Sequence, residues 1–294
     1  VATTERCLIK YFITNLKTGT LKKDIMEITV LVENTAPNME LIALHGLSLF
    51  IRTKKHRILV DTGDKDAFYL NAQKLNIGIS DIDILIITHG HNDHGGGLEC
   101  FLKHNKKAKI YIQKTALENY FVRTDTKKYI GLDKSLGNDR FVLVDGNYKI
   151  DEQIYLLNKI DISFDAPSFN SYLFKEQNNN LVLDDFLHEQ SVIIEEGGKI
   201  LLIGGCAHTG VINILNAAKK IFKKVDICVS GFHLYNPGLN LTDEKAIPSL
   251  AKKLKNFDAK IYTCHCTGIT AYKKLKKSLN DKIEYLSTGS KINI

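Results

Sequence analysis

The stretch Thr88-His89-Gly90-His91-Asn92-Asp93-His94-Gly95-Gly96-Gly97 places three histidines and an aspartate within six positions. Imidazole nitrogen and carboxylate oxygen together suit zinc, iron or manganese. His89 and His91 lie two apart in a turning segment and can converge on one cation. Asp93 and His94 are adjacent and can turn the other way, toward a second. The glycines let the backbone approach the metals and open the next helix without a Cβ clash. A histidine-rich surface loop would need neither a buried strand before it nor glycines after it, so the pattern favours a metal centre.

Elements must hold these groups in place. The apolar run Ile82 to Ile87 reads as a buried strand, short, rich in isoleucine and bounded by turn residues. A helix-like segment begins near Leu98. The ligands then sit at the carboxyl end of a strand, where open α/β sheets bind their ligands. Upstream, Ile25 to Val32 reads as a strand, and Leu44 to Val60 as a hairpin ending in Asp61-Thr62-Gly63. Asp66 to Leu75 fits a short helix that Asp66 could cap. Downstream, Lys109 to Gln113 is a strand. Residues 115–180 are irregular and read as a variable insertion that walls a pocket within a single domain spanning 1–294. A hairpin follows (Ser191 to Glu195, Lys199 to Ile203), then a helix with Val211, Ile214, Leu215, Ala218 and Phe222 on one face. Next come a strand Asp226 to Val229, a helix from Ile247 to Phe257 that tolerates Pro248 only in its first turn, and a strand Lys260 to Thr263. A last helix and a short strand finish the chain. Four strands thus end in histidine-bearing loops, at His89 to His94, His208, His233 and His265. Chance placement would not be so regular, and parallel strands would bring these ends to one edge.

A chain of 294 residues with 44% hydrophobic and 25% charged residues can bury a large α/β core. No segment approaches the roughly 20 apolar residues of a membrane span, and Val1 to Lys10 lack the apolar core of a signal peptide. A cytoplasmic protein without membrane attachment is expected. Six cysteines in such a chain do not make a disulfide scaffold. Cys7, Cys100 and Cys228 lie in apolar surroundings and read as small packing residues. The net charge of +7 comes largely from lysine runs such as Lys273-Lys274 and Lys276-Lys277. Without tryptophan or interleaved aromatic and basic residues, nucleic acid is not the expected partner; an anionic small molecule is. Oligomeric state is left open.

The segment THGHNDHGGG resembles the H-x-H-x-D-H signature of the metallo-β-lactamase fold superfamily. Within it the chain is similar to the 7,8-dihydropterin-6-methyl-4-(β-D-ribofuranosyl)aminobenzene 5′-phosphate synthase branch. The matching segments are LHGLSLFI, ILVDTGD, the Asn71-Ala72 pair, SDIDILIITHGHNDHGGGL, DDFLHEQS, IGGCAHTGVINIL, SGFHL and CHCTG. The resemblance implies a four-layer αββα sandwich with the site at one edge of its two sheets. It implies two divalent transition-metal ions, zinc first, with iron or manganese as alternatives. His89 and His91 would share the first with a third histidine, His208, with the upstream His188 as a further candidate. Asp93, His94 and His265 would hold the second. Superfamily members usually bridge the metals with an aspartate where this chain has Gly205-Cys206, so Cys206 is either a thiolate ligand or a packed thiol. Asp61 would fix the loop that carries the histidines, or cap a turn. Asp93, His45 and His233 would serve catalysis, the two histidines as substrate-binding or proton-transfer groups. Cys264 and Cys266 flank His265 without being ligands.

The implied reaction condenses a dihydropterin methyl pyrophosphate with an arylamine ribofuranosyl phosphate, releasing pyrophosphate. Phosphate oxygens would gain from both cations and from helix N-termini such as the one after Thr209-Gly210. The alternatives are hydrolysis of a phosphodiester, lactone or thioester at the same metals, or a non-catalytic metal or ligand sensor. The intact ligand set argues against a sensor, since lost activity would tolerate lost ligands.

Overall fold

The computed structural model describes residues 26–137 and 139–294. Cys7, the segment Val1 to Lys10 and the expected strand start at Ile25 lie outside them. The first sheet opens with β1 (Glu27–Val32), β2 (Ser48–Arg52) and β3 (Arg57–Val60), joined antiparallel. It continues in parallel with β4 (Ile84–Ile86) and β5 (Lys109–Gln113). The strands β6 (Tyr120–Arg123) and β7 (Lys127–Tyr129) leave it as a hairpin, and β8 (Phe141–Val144) returns beside β5. The strands β9 (Tyr148–Lys149) and β10 (Ile154–Leu157) begin the second sheet, while β11 (Leu173–Gln177) and β12 (Asn180–Leu183) join β6 and β7 in a small sheet of four.

The second sheet continues antiparallel through β13 (Ser191–Glu196) and β14 (Lys199–Ile203), then in parallel through β15 (Ile227–Ser230). Two short strands, β16 (Tyr235–Asn236) and β17 (Leu241–Thr242), form a minor ribbon. β18 (Lys260–Thr263) and β19 (Ile283–Tyr285) complete the second sheet in parallel, and β20 (Lys291–Asn293) returns to the first, against β1.

Alternation along the strands builds the layers. In β13 and β14, Val192, Ile194, Leu201 and Ile203 meet Ile28, Val30, Ile58 and Ile86 between the sheets. Ile193, Ile200 and Leu202 point the other way, onto α4 (Val211–Phe222), α5 (Ile247–Leu254) and α6 (Ile269–Leu279). On the outer face of the first sheet, Leu59, Leu85 and Ile110 pack on α1 (Ala67–Lys74) and α3 (Leu98–His104). A one-turn helix, α2 (Asn92–Gly95), precedes α3. The result is helix, sheet, sheet, helix, as the resemblance implied.

Local details follow from residue chemistry. Pro248 sits in the first turn of α5, where its missing N–H costs nothing. Asp66 occupies the N-cap position of α1 but makes no side-chain capping bond. The strand expected over Ile82–Ile87 is shorter, Ile84–Ile86, although Ile82 and Ile87 are fully buried. Asn71 is buried in α1, donating to Leu31 and Ile42 carbonyls and accepting from Ile42 N–H, so it ties down the loop that leads to His45. The five described cysteines are free thiols. Cys228 and Cys264 pack in the two hydrophobic cores of the second sheet. Among the described residues no helix is long and apolar enough to cross a membrane.

Candidate metal centre

The carboxyl ends of the parallel strands carry the chemistry. β3 ends at Asp61 and β4 at Thr88 to His94. In the second sheet β14 ends at Cys206 and His208, β15 at His233 and β18 at His265. Asp61, Ala207, His233 and His265 all have positive φ, between 48° and 59°. Such strained backbone clusters where side chains must be aimed. Gly205 has φ +53°, and a Cβ there would lie 2.6 Å from Thr88 Oγ1, so the loops from the two sheets touch backbone to side chain.

Asp61 is fully buried and organises the motif. Its Oδ1 accepts from Thr88 N–H at 2.7 Å, and its Oδ2 from Thr88 Oγ1 at 2.7 Å. The same Oδ2 lies 2.6 Å from His94 Nδ1. Both oxygens are spent, so Asp61 orients the loop and sends His94 Nε2 forward. The motif is not a plain loop beyond His91. It turns into α2, which carries Asp93 and His94, and the His94 ring packs 4.1 Å from that of His89, so the two halves of the motif adjoin.

Two donor groups result. In the first, atoms of His89, His91 and His208 lie within 4.8 Å of one another. The Nε2 atoms of all three are buried without a hydrogen-bond partner. His208 Nδ1 faces Asn170 Oδ1 at 3.1 Å and His89 Nδ1 faces Thr88 Oγ1 at 3.0 Å, which leaves the Nε2 lone pairs free. Burial, reinforced by neighbouring imidazoles, holds His89 and His208 well below the usual histidine range; burial also lowers His91. Three buried, neutral, convergent imidazoles without partners fit a transition-metal ion.

In the second group, His265 Nε2 lies 3.2 Å from Asp93 Oδ2 and 3.3 Å from His94 Nε2, and His94 Nε2 lies 3.9 Å from Asp93 Oδ2. Asn34 Oδ1 sits 2.8 Å from His265 Nδ1, and Asp61 holds His94 Nδ1, so both rings can turn a lone pair on the same point. Burial opposes charge on His94, yet Asp61 and Asp93 outweigh it and hold the group at about 9. The proton so favoured stands where a cation would do the same work. This donor set also fits.

Cys206 joins the groups. Its Sγ lies 3.1 Å from His94 Nε2, and it clusters with His89 and His94 on one side and with His208 and His233 on the other. His45 Nε2 is 3.3 Å from Asp93 Oδ2, on a side chain that is 42% exposed to the pocket. The His233 ring packs 4.4 Å from His208, and both of its nitrogens are buried without partners.

His188 is placed differently. Its Nδ1 accepts from Gly90 N–H at 2.9 Å and its Nε2 meets Asp184 Oδ2 at 2.9 Å. With both nitrogens engaged it braces the motif, and His208 is the histidine that opens its Nε2 toward His89 and His91. The start of α4 does not face the centre either. Glu189, fully buried, accepts from His208 N–H, Thr209 N–H and Thr209 Oγ1, and Gly210 to Ile212 line a separate pocket with Phe164 and Lys253. Glu189 thus takes the donors just before the helix, and the first residues of α4 line that separate pocket and not the one over the metal centre.

Several partners carried no sequence signal. Glu33 Oε1 accepts from His265 N–H at 2.7 Å, and Asn34 orients the same histidine from 231 positions away. A register shift in β1 between Val30 and Val32 sits just before this pair. Asp184, inside the quoted DDFLHEQS segment, touches His188 and lies 3.7 Å from His91 Nε2.

A pocket of about 280 Å³ opens over the centre, with His45, Asp93, His208 and His233 at its floor. A family model for the metallo-beta-lactamase superfamily matches residues 41–212. Over 290 residues the chain is 30% identical to a 7,8-dihydropterin-6-methyl-4-(beta-D-ribofuranosyl)-aminobenzene-5'-phosphate synthase of Methanocaldococcus jannaschii, with 91% of this chain and 96% of that protein covered. The crystal structure of Tm1679, described as a metal-dependent hydrolase of the beta-lactamase superfamily, matches at 26% identity and a TM-score of 0.78, covering 92% of this chain and 99% of that one. YhfI from Bacillus subtilis shares the fold at 11% identity and a TM-score of 0.56, covering 92% of this chain and 100% of that one. Layered sheets, buried histidine donors at one sheet edge and these likenesses agree, and the chain belongs to the metallo-β-lactamase superfamily of metal-dependent enzymes.

Proposed function

We propose that this protein is a dinuclear metal enzyme acting on a phosphorylated small molecule. The reaction would resemble that named for its archaeal relative: a C–O bond to pyrophosphate breaks, an arylamine nitrogen bonds to the released carbon, and the amine gives up a proton. The observation that carries the reading is the pair of adjoining donor groups that open on one pocket, through His91 and His208 from the first and Asp93 from the second. His89, His91 and His208 would hold one cation and Asp93, His94 and His265 the other, with Cys206 between them; zinc suits the nitrogen and sulfur donors best. When bound, the cations supply charge neutralisation to the phosphate oxygens.

The chain's own residues do the rest. His45, poised by Asp93 and open to the pocket, can carry a proton between leaving group and solvent. His233 has nitrogens free to hydrogen-bond substrate beside His208. The apolar walls, including Phe169, Tyr172 and Leu173, limit water, which favours transfer to an amine over hydrolysis. The net charge of +7 suits an anionic substrate. Hydrolysis of a phosphodiester, lactone or thioester is the second reading, favoured by the description of Tm1679 as a hydrolase.

Titration with inorganic pyrophosphate tests the first reading. Metal-loaded protein should bind it far more tightly than chelated protein. A loaded protein that ignores pyrophosphate yet turns over an uncharged ester or lactone would replace this reading with the hydrolase.

A further inference from the structure

One wall of the pocket over the metal centre is a face of the β6–β7 hairpin. Asn92 N–H donates to the Ile130 carbonyl at 2.7 Å and Ile130 N–H to the Tyr120 carbonyl at 2.9 Å, so the base of the hairpin is fixed to the metal-binding motif. The Tyr120 ring packs 4.1 Å from His188. From this base the ribbon runs outward, pairing Phe121 with Tyr129, Val122 with Lys128 and Arg123 with Lys127. Every second residue, Val122, Thr124, Thr126, Lys128 and Ile130, lines the pocket. On the other face Phe121 and Tyr129 meet edge to face, 5.4 Å between ring centres, and Lys127 Nζ stands 4.1 Å over the Phe121 ring. A slip of one residue would reverse both faces, so these contacts hold Lys128 toward the pocket.

Lys128 is the sole lysine or arginine among the described residues that line this pocket. The one acid there, Asp93, lies on the floor between His45 and His265. Among the described residues the Lys128 ammonium has no ion-pair or hydrogen-bond partner, its pairing with Val122 being through the strand backbone. Thr124 and Thr126 add hydroxyls on the same face, and Thr124 reaches within 3.7 Å of where a Cβ on Gly238 would stand, closing the outer end. Lys128 lies two residues along the strand from Ile130, roughly 7 Å by the rise of an extended chain. Apolar side chains line the same stretch of the pocket: Val122 and its cross-strand partner Leu173 on the small sheet, with Ile130 and Phe169 also lining it.

We propose that Lys128 is a specificity-determining residue that reads a second anionic group of the substrate, across an apolar ring from the phosphate at the metals. This rests on the phosphorylated-substrate reading above. The second group is a carboxylate or phosphate, held by the ammonium and the two threonine hydroxyls. A small anion such as pyrophosphate reaches only the floor and leaves Lys128 unused.

The test compares phenyl phosphate with 4-carboxyphenyl phosphate, titrated calorimetrically into metal-loaded protein. The wild type should bind the carboxylated compound roughly fivefold to tenfold more tightly, the scale of one charge-assisted hydrogen bond near solvent. In Lys128→Gln the two compounds should bind within about twofold of each other, and in Lys128→Arg the preference should persist. Equal binding by the wild type, or a preference that survives Lys128→Gln, overturns the proposal. Pyrophosphate separates the failures. If it binds the loaded protein while the aryl pair cannot be told apart, only the Lys128 assignment falls. If pyrophosphate does not bind either, the phosphorylated-substrate reading falls and takes Lys128 with it.

Discussion

Asp61 shows how a residue away from the ligand set can control it. One carboxylate meets Thr88 twice and His94 once, so its two oxygens set the loop path and one ring tautomer together. An amide cannot do both. In Asp61→Asn, either the Thr88 N–H or the His94 Nδ1–H would face an NH₂ group. We expect Asp61→Asn to fold and to lose about 10- to 100-fold in affinity at the Asp93–His94–His265 group, with the His89–His91–His208 group less affected. Elemental analysis after dialysis should then fall from two metal equivalents toward one; two retained equivalents would refute the orienting role. The motif itself was legible because its candidate ligands lie within six positions. Asp61 was legible as an orienting group through its resemblance to the superfamily, with a turn cap as the alternative. Glu33 and Asn34 were not, since nothing local marks a residue whose partner is 231 positions away. Sequence put His208 ahead of His188 by position in the motif alone; the physical difference lies in which ring nitrogens are already bonded, and that is visible only in the structure.

At the scale of elements, short runs rich in buried apolar residues and one long amphipathic helix were readable. The strands Lys109–Gln113 and Lys260–Thr263 and the helix Val211–Phe222 fall where alternation and helical spacing put them. Between residues 115 and 180 the strands are just as short, but they divide among three sheets and most of their residues are exposed or half-buried, so few buried apolar runs mark them. That stretch also hid a contact between sheets. Asp151, just before β10, accepts from Lys55 Nζ at 2.8 Å, pairs with His56 Nε2 at 2.6 Å, and takes the Gln153 and Ile154 N–H groups on its other oxygen. Lys55 and His56 belong to the β2–β3 turn, so the clasp links the sheets at the end opposite the metal centre. Burial works against the Asp151 charge, but Lys55, His56 and the backbone donors outweigh it and hold the carboxyl well below its usual range. A depressed carboxylate stabilises the fold fully above its unfolded pKa, about 3.9, and the effect fades as pH falls toward the folded value. Asp151→Asn should therefore lower the urea midpoint at pH 7, and its gap to wild type should narrow at pH 3. A gap of equal size at both pH values would mean that Asp151 acts through packing and neutral hydrogen bonds instead of charge.

For the whole molecule, the two sheets meet across one apolar layer that has no direction of its own. Their alignment is set at the two ends, by the Asp151 clasp at one and the donor groups at the other. Each group draws from both sheets: His89 and His91 from the first with His208 from the second, and Asp93 and His94 from the first with His265 from the second. Cations held there would tie the sheets together as well as serve the proposed chemistry. Any ion that binds only the folded state stabilises it by mass action, about 2.7 kcal/mol when free metal exceeds its dissociation constant a hundredfold. Other links cross the same edge, notably Gln190, whose N–H donates to the Thr88 carbonyl at 2.7 Å and whose side chain reaches the Ile87 carbonyl. Chelation should therefore loosen this edge without unfolding the chain. Hydrogen exchange followed by mass spectrometry should speed up on chelation in residues 88–94, 204–210 and 264–268 together. Residues 53–56 and 151–154, at the clasped end, should keep their rates. Readdition of zinc should restore protection to all three loops at once in the wild type, but in His91→Ala only to 264–268 and the α2 part of the motif. Faster exchange confined to 88–94 would place every tightly held ion on the first sheet alone and remove the staple between the layers. An equal rise at both ends would instead mean that metal supports the fold globally.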